Sequence, residues 1–197
     1  MTYVTIYLLQ HVGGTYMVIE RSNNLTFAAD SLVLICGLPK SGKSTFASKY
    51  LFNFSVIDID DIYAETEHAL NWNEKSTSEQ FDLRHNFLKV LNSKLTTYIN
   101  RSLRANDITF VIVNATTQLA RQIIIKRFSG RYQHCSAIVL DIDKNSLTKQ
   151  NHQNDDEIDD FLSHFDDFKK QIDNNDFDEF ELVYIVENPD NVQIDIT

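Results

Sequence analysis

A chain of 197 residues that is 43% hydrophobic and 23% charged can bury one substantial core and has the composition of a folded globular protein, not a disordered one. At this length a second full catalytic domain is not expected, and no apolar run is long enough for a membrane-spanning helix. The net charge of -10 is unevenly spread, with 15 acidic residues against Lys169 and Lys170 from Asn151 onward, and 13 acidic against 16 basic residues before it. Anionic ligands therefore remain open to residues 1–150, while a large basic nucleic-acid footprint does not.

Met1 to Gln10 lack a basic region followed by a sustained apolar run and a small-residue cleavage site. No secretion signal is expected, and the cytosol is the expected location. The runs Tyr3 to Leu9 and Tyr16 to Glu20 flank His11-Val12-Gly13-Gly14 and read as a β-hairpin; Asn23-Asn24 marks a further turn. After Asp30 short apolar runs alternate with longer helical stretches, the signature of β-α units around a mostly parallel sheet. Strands are predicted at Leu32 to Cys36, Ser55 to Ile59, Thr109 to Val113, Ala137 to Leu140 and Leu182 to Val186. Helices are predicted at Lys43 to Leu51, near Ile62, at Ser78 to Leu103, Thr117 to Phe128 and Asp156 to Ile172, with a short one near Ser146 and a loop at Asn71 to Ser76. Cys36 and Cys135 sit inside apolar runs and read as reduced core thiols. The division expected is a hairpin appendage over residues 1–30 and an α/β domain over residues 31–197.

The segment Gly37-Leu38-Pro39-Lys40-Ser41-Gly42-Lys43-Ser44 matches G-x-x-x-x-G-K-[ST] and lies between a predicted strand and a predicted helix, the context this P-loop motif requires. Gly37 and Gly42 let the backbone wrap a phosphate, whose oxygens the amides of the turn and the helix start would bind. Lys43 is placed to reach the terminal phosphates. The Ser44 hydroxyl suits a magnesium ion bridging them, with Thr45 the neighbouring alternative. The expected fold is a P-loop NTPase of the nucleotide-kinase type, using ATP and Mg2+.

Phosphoryl transfer also needs a carboxylate near the acceptor hydroxyl. Asp58, Asp60 and Asp61 close the second predicted strand of the domain, and ligands of parallel sheets sit at the carboxyl ends of strands. Asp60 is the candidate base. Asp61, or Asp60 itself, is the candidate cap of the helix starting near Ile62.

These residues together resemble the kinase domain of phage-type polynucleotide 5′-kinases. The resemblance spans Leu32 to Phe168 and rests on the P-loop, Ile59-Asp60-Asp61-Ile62-Tyr63, Asn114-Ala115-Thr116 with Arg121, and Asp141 followed by Leu147 and Asn151. It implies that Asp60 takes the proton from a 5′-hydroxyl, while Lys43 and Ser44 handle ATP and magnesium. It also implies a nucleic-acid 5′ end as partner; Asp61, Asn114 and Lys149 are the candidate substrate-binding residues. The sequence departs from the family at Asn114, where the family has an aspartate, at Tyr63, near a family arginine, and in the lid stretch 149–154, whose fixed cation is Lys149. Arg121 is the candidate substitute for the missing lid arginines, and Lys126, Arg127 and Arg131 are candidate guides for a polyanion.

Three other readings stay open. The pairs Asp58-Ile59-Asp60 and Asp141-Ile142-Asp143 are similar to the nucleophile and acid of haloacid dehalogenase-type phosphatases, but the usual Thr or Val two places later is missing from both. A degenerate P-loop protein would bind nucleotide without transferring phosphate, and a small-molecule kinase would act on a nucleotide, nucleoside or sugar. The six histidines show no metal-ligand spacing. Oligomeric state and the choice of ATP over GTP are not readable.

Overall fold

A computed structural model of the chain describes residues 8–12, 15–102, 108–114, 116–128, 130–143 and 155–197. The hairpin forms as β1 (Leu8–Val12) and β2 (Thr15–Arg21), antiparallel, with His11 and Val12 inside the first strand instead of in the turn. Residues 1–7 lie outside the described residues. There follow β3 (Asn24–Phe27), β4 (Ser31–Cys36), α1 (Lys43–Tyr50), β5 (Ser55–Asp58), α2 (Ile59–Ala69), α3 (Thr77–Ser102), β6 (Thr109–Val113), α4 (Gln118–Phe128), β7 (His134–Leu140), α5 (Asp155–Asn174), β8 (Leu182–Val186) and β9 (Gln193–Ile196). The stretch expected to be a loop at 71–76 contains a 3-10 turn at Trp72–Glu74, and the short helix expected near Ser146 lies outside the described residues.

The main sheet has the order β1-β2-β8-β7-β4-β6-β5. All its neighbours are parallel except β1 and β2. The P-loop strand β4 lies inside the sheet, between β6 and β7 and third from the β5 edge. Every residue of β4 is buried, and the side chains divide by parity. Leu32, Leu34 and Cys36 join one core with Val111, Val113, Ala137 and Val139, while Val33 and Ile35 join the other with Phe110, Ile112, Ile138 and Leu140. A strand buried on both faces reads as a continuous apolar run, which is why the central strands were visible in the sequence.

The hairpin is an extension of the sheet edge, because Val18 to Arg21 pair in parallel with Leu182 to Ile185. Two strands escape a sequence reading. The β3 and β9 segments, four residues each, form a small parallel sheet of their own. Leu25 and Phe27 of β3 pack on the face that holds Phe46 and Ala47 of α1. Tyr184 ties this layer down, its hydroxyl accepting from Thr26 N–H at 3.0 Å and donating to Thr26 C=O at 3.1 Å. The other face carries Leu95 and Ile99 of α3, Phe128 of α4, and Phe165, Phe168 and Ile172 of α5. Burial pushes both the Cys36 and the Cys135 thiol up to about 12, so neither is a nucleophile at neutral pH. Among the described residues no helix is long and apolar enough to cross a membrane.

Candidate active site

Gly42, in the left-handed region at φ 83°, ends the P-loop and serves as N-cap of α1. The first turn of α1 therefore begins at Lys43, with its amides pointing back into the loop. Lys43 is buried, and its Nζ donates to the carbonyls of Gly37 at 3.1 Å and Leu38 at 2.7 Å. Burial pushes its ammonium below the ordinary lysine value, opposed first by the Asp60 carboxylate. Such a cation gains when an anion enters beside it.

The loop is also tight at its first position, where a side chain would displace Ser41 Oγ. A Cβ on Gly37 would lie 2.6 Å from Ser41 Oγ and 3.5 Å from Leu140 Cβ and C=O. Ser41 Oγ is buried without a hydrogen-bond partner. An orphaned hydroxyl, a close approach of backbone to it at Gly37 and a desolvated lysine in one loop fit a bound phosphate chain.

The carboxylates enter from the neighbouring strand. β5 runs into α2 without a loop, so Asp58 is at once the last strand residue and the helix N-cap, its Oδ1 accepting from Asp60 N–H at 3.0 Å. This corrects the expectation that Asp60 or Asp61 caps a helix near Ile62: the helix begins three residues earlier and the cap belongs to Asp58. The other oxygen, Oδ2, accepts from Ser44 Oγ at 2.9 Å. Asp58 and Ser44 thus form a hard-oxygen pair beside the P-loop, suited to magnesium. Asp58 is a candidate site residue that sequence reasoning placed at the strand end without giving it a role at the P-loop.

Asp60, freed from capping, turns the other way. It lines a cleft of about 500 Å3 together with Pro39, Lys40, Gly42, Lys43, Ser44, Thr45 and Asn114. Asn114, one residue beyond β6, donates from Nδ2 to Asp60 Oδ2. Partial enclosure, then the Asp58 charge, raise the Asp60 carboxyl above the usual carboxylate value, while Lys43 and the Asn114 bond pull it down. That balance leaves a basic oxygen beside the phosphate loop. Asp61 does not join this group. It opens with Asp58, Glu65 and Tyr98 onto an adjacent groove, and its carboxyl is raised by enclosure and by the charges of Asp58 and Glu65. A further cleft of about 470 Å3 adjoins the P-loop, between Lys40, Thr45 and Tyr50 and the segment Glu187 to Asp190, where a nucleoside attached to the phosphates has room.

Arg121 is corrected most sharply. It is fully buried, its Nε bound to Glu179, Nη1 to Gln171 Oε1 at 3.0 Å and Nη2 to Asp176 C=O at 2.8 Å. The α4 face carrying it packs inward, so it cannot stand in for a lid arginine. Arg127 and Arg131 are engaged with Asn92 and Asn100 on α3. Lys149 and the rest of the lid stretch 149–154 lie outside the described residues.

Residues 31–179 match the family model described as Chromatin associated protein KTI12. The chain belongs to the KTI12 family. The match covers the P-loop, Asp58, Asp60, Asn114 and the Arg121–Glu179 pair, and it leaves out the hairpin and β8. A search of curated proteins returns no match. Among solved structures, the chain is similar to a shikimate kinase from Aquifex aeolicus at 15% identity and TM-score 0.45, with 82% of this chain and 90% of that one covered. It is also similar to a gluconokinase from Sinorhizobium meliloti at 14% identity and TM-score 0.42, covering 80% and 82%. A dephospho-CoA kinase from Campylobacter jejuni shows 14% identity and TM-score 0.44 over 80% and 88%. Likenesses at this level carry no inference about a substrate for this KTI12 family member, whose fold is established by its own strand order and P-loop placement.

Proposed function

We propose that this chain is an ATP-dependent phosphotransferase that moves the γ-phosphate to an acceptor hydroxyl, the 5′-hydroxyl of a polynucleotide being the acceptor class. The observation that carries the reading is Asp60, held by Asn114 in the same cleft as Lys43 and Ser44. A carboxylate there is placed to accept a proton from a hydroxyl entering beside the phosphate loop.

Bound MgATP supplies the transferable phosphoryl group and neutralises part of its charge. The chain's own residues do the rest. The P-loop amides and Lys43 would hold the phosphates, Ser44 and Asp58 would hold the metal, and Asp60 would orient the acceptor hydroxyl and take its proton as the new O–P bond forms and the bond from the γ-phosphorus to the β–γ bridging oxygen breaks, with ADP as the leaving group. Lys43 stabilises the charge that gathers on the phosphoryl oxygens. Lys149 is assigned to the acceptor side with Asn114, as the polynucleotide reading requires.

A second reading, a small uncharged hydroxyl acceptor, is favoured by the carboxylates Asp58, Asp61 and Glu65 in the groove next to Asp60, since a polyanion is repelled there. Transfer of labelled γ-phosphate from ATP to 5′-hydroxyl DNA and RNA oligonucleotides, nucleosides and sugars, with Lys43→Ala as control, separates the two. Lys43-dependent labelling of oligonucleotides supports the first, and labelling of small acceptors alone supports the second. ATP binding without transfer to any acceptor or to water would overturn both.

A further inference from the structure

The Arg121 group raises a question that the proposed reaction does not answer. A buried ion pair is a weak source of net stability, because desolvation offsets most of its attraction. Apolar side chains of similar volume would fill the same space. What the pair holds in place is therefore the more informative property.

Its donors reach Gln171 in α5 and Asp176 and Glu179 in the α5–β8 connection, and the first of them leads to the site. Gln171, near the end of α5, accepts from Arg121 Nη1 at 3.0 Å and donates from Nε2 to the Thr116 carbonyl at 2.6 Å. The Thr116 N–H donates to the Asn114 carbonyl at 3.2 Å. Asn114 in turn donates from its carboxamide to Asp60. Glu179 and the Phe177 ring, 4.6 Å from the guanidinium, fix the other side of Arg121. Four hydrogen bonds, joined through the covalent frames of Gln171, Thr116 and Asn114, thus connect a fully buried guanidinium to the carboxylate in the phosphate cleft. The connection passes through Asn114 and Thr116, just beyond the end of β6.

We propose that Gln171, locked by the buried Arg121–Glu179 pair, is a positioning residue that sets the Thr116 backbone and, through it, the contact of Asn114 with Asp60. The role as it bears on transfer rests on the reading of Asp60 as the acceptor base. The positioning itself is a statement about Asn114 and stands apart from activity. Gln171 touches no substrate: it acts by fixing the exit of β6, where a displacement of about 1 Å can cost a site about 10²-fold in rate.

Two substitutions in the full chain test this. Gln171→Glu keeps an acceptor for Arg121 but loses the donor to Thr116, and Gln171→Met loses both. The side-chain amide resonances of Asn114, identified by their disappearance in Asn114→Ala, report its contact with Asp60. Both Gln171 variants are expected to move those resonances toward the values they take in Asp60→Asn, where the charged acceptor is gone. Transfer should fall by about five- to tenfold in kcat with KM for ATP within about twofold. On an Asn114→Ala background Gln171→Glu should cost nothing further in kcat. Unmoved Asn114 resonances in Gln171→Glu would overturn the proposal, as would equal losses on both backgrounds. If the parent transfers phosphate to no acceptor, the proposed function falls, and the resonances of Asn114 still decide the positioning role.

Discussion

Replacing Arg121 by methionine leaves Glu179 without its cation at a place where the two side chains are 0% and 5% exposed. Glu179 Oε2 already has no hydrogen-bond partner, so little else is present to compensate the charge. Breaking a buried pair from one side costs about 3–5 kcal/mol, and the lost stacking of the guanidinium on Phe177 places this variant toward the upper end. For a domain of this size, that corresponds to a fall in Tm of roughly 6–20 °C. The paired substitution Arg121→Met with Glu179→Leu removes the stranded charge and is expected to recover to within about 1–2 kcal/mol of the parent. Urea unfolding followed by circular dichroism, with the slope compared across variants, measures both. ATP affinity measured well below Tm should stay at the parental value in each, because Arg121 has no exposed surface to offer a phosphate. A single variant less than about 1 kcal/mol below the parent, or a double variant as unstable as the single, would refute the assignment of Arg121 to the core.

Four further outcomes are expected. Asp60→Asn should keep ATP binding and lower transfer by about 10²–10⁴-fold, the usual contribution of a general base; unchanged kcat would remove Asp60 from the mechanism. The pH dependence follows from its raised carboxyl: transfer needs the ionised form, so the acidic limb of kcat/KM should lie above the ordinary aspartate value of about 3.9. In stability the sign reverses. The fold binds this proton more tightly than the unfolded chain does, so ionised Asp60 weakens the fold by an amount absent below the unfolded value and complete above the folded one. Asp60→Asn should therefore be at least as stable as the parent at neutral pH by thermal melting. Gly37→Ala places a Cβ 2.6 Å from Ser41 Oγ and should weaken ATP binding about tenfold or more, in line with the ~1–3 kcal/mol of overpacking; titration with a fluorescent nucleotide checks it.

What the sequence revealed and what it hid follow from how far apart the interacting residues lie. β4, β6 and β8 were readable to within a residue because strands buried on both faces are continuous apolar runs, and the P-loop declares itself by local spacing. β3 and β9 were not, since each is four residues long and is stabilised by a partner 169 positions away, Asn24 on Gln193. The start of α2 was missed because a strand running straight into a helix leaves no turn residue to mark the junction. Arg121 was misread as exposed for a related reason. α4 reads Leu-Ala-Arg-Gln-Ile-Ile-Ile, and its inward face is set by Glu179 and Gln171, which are 58 and 50 residues away. Polar residues that are buried by remote partners leave no periodic signal.

The same junction of β5 and α2 explains how two carboxylates two residues apart come to face different work. Asp58 in extended conformation, at φ -95° and ψ 114°, points one oxygen at the helix amide and the other at Ser44. Its charge is thereby committed to the helix N-terminus and to the hydroxyl that would hold magnesium. Asp60, inside the first turn, has its backbone amide satisfied by Asp58 and its side chain free to meet Asn114 and Lys43. Had a loop separated strand from helix, Asp60 would have been the natural cap and unavailable as a base. The Asn114 amide adds what an aspartate there could not: it donates to Asp60 without setting a third negative charge beside Asp58 and Asp60, which would raise the Asp60 carboxyl further and weaken its ionised form at neutral pH. On that argument Asn114→Asp should move the acidic limb of transfer to higher pH, and an unchanged limb would show that Asn114 serves only to hold the β6 exit.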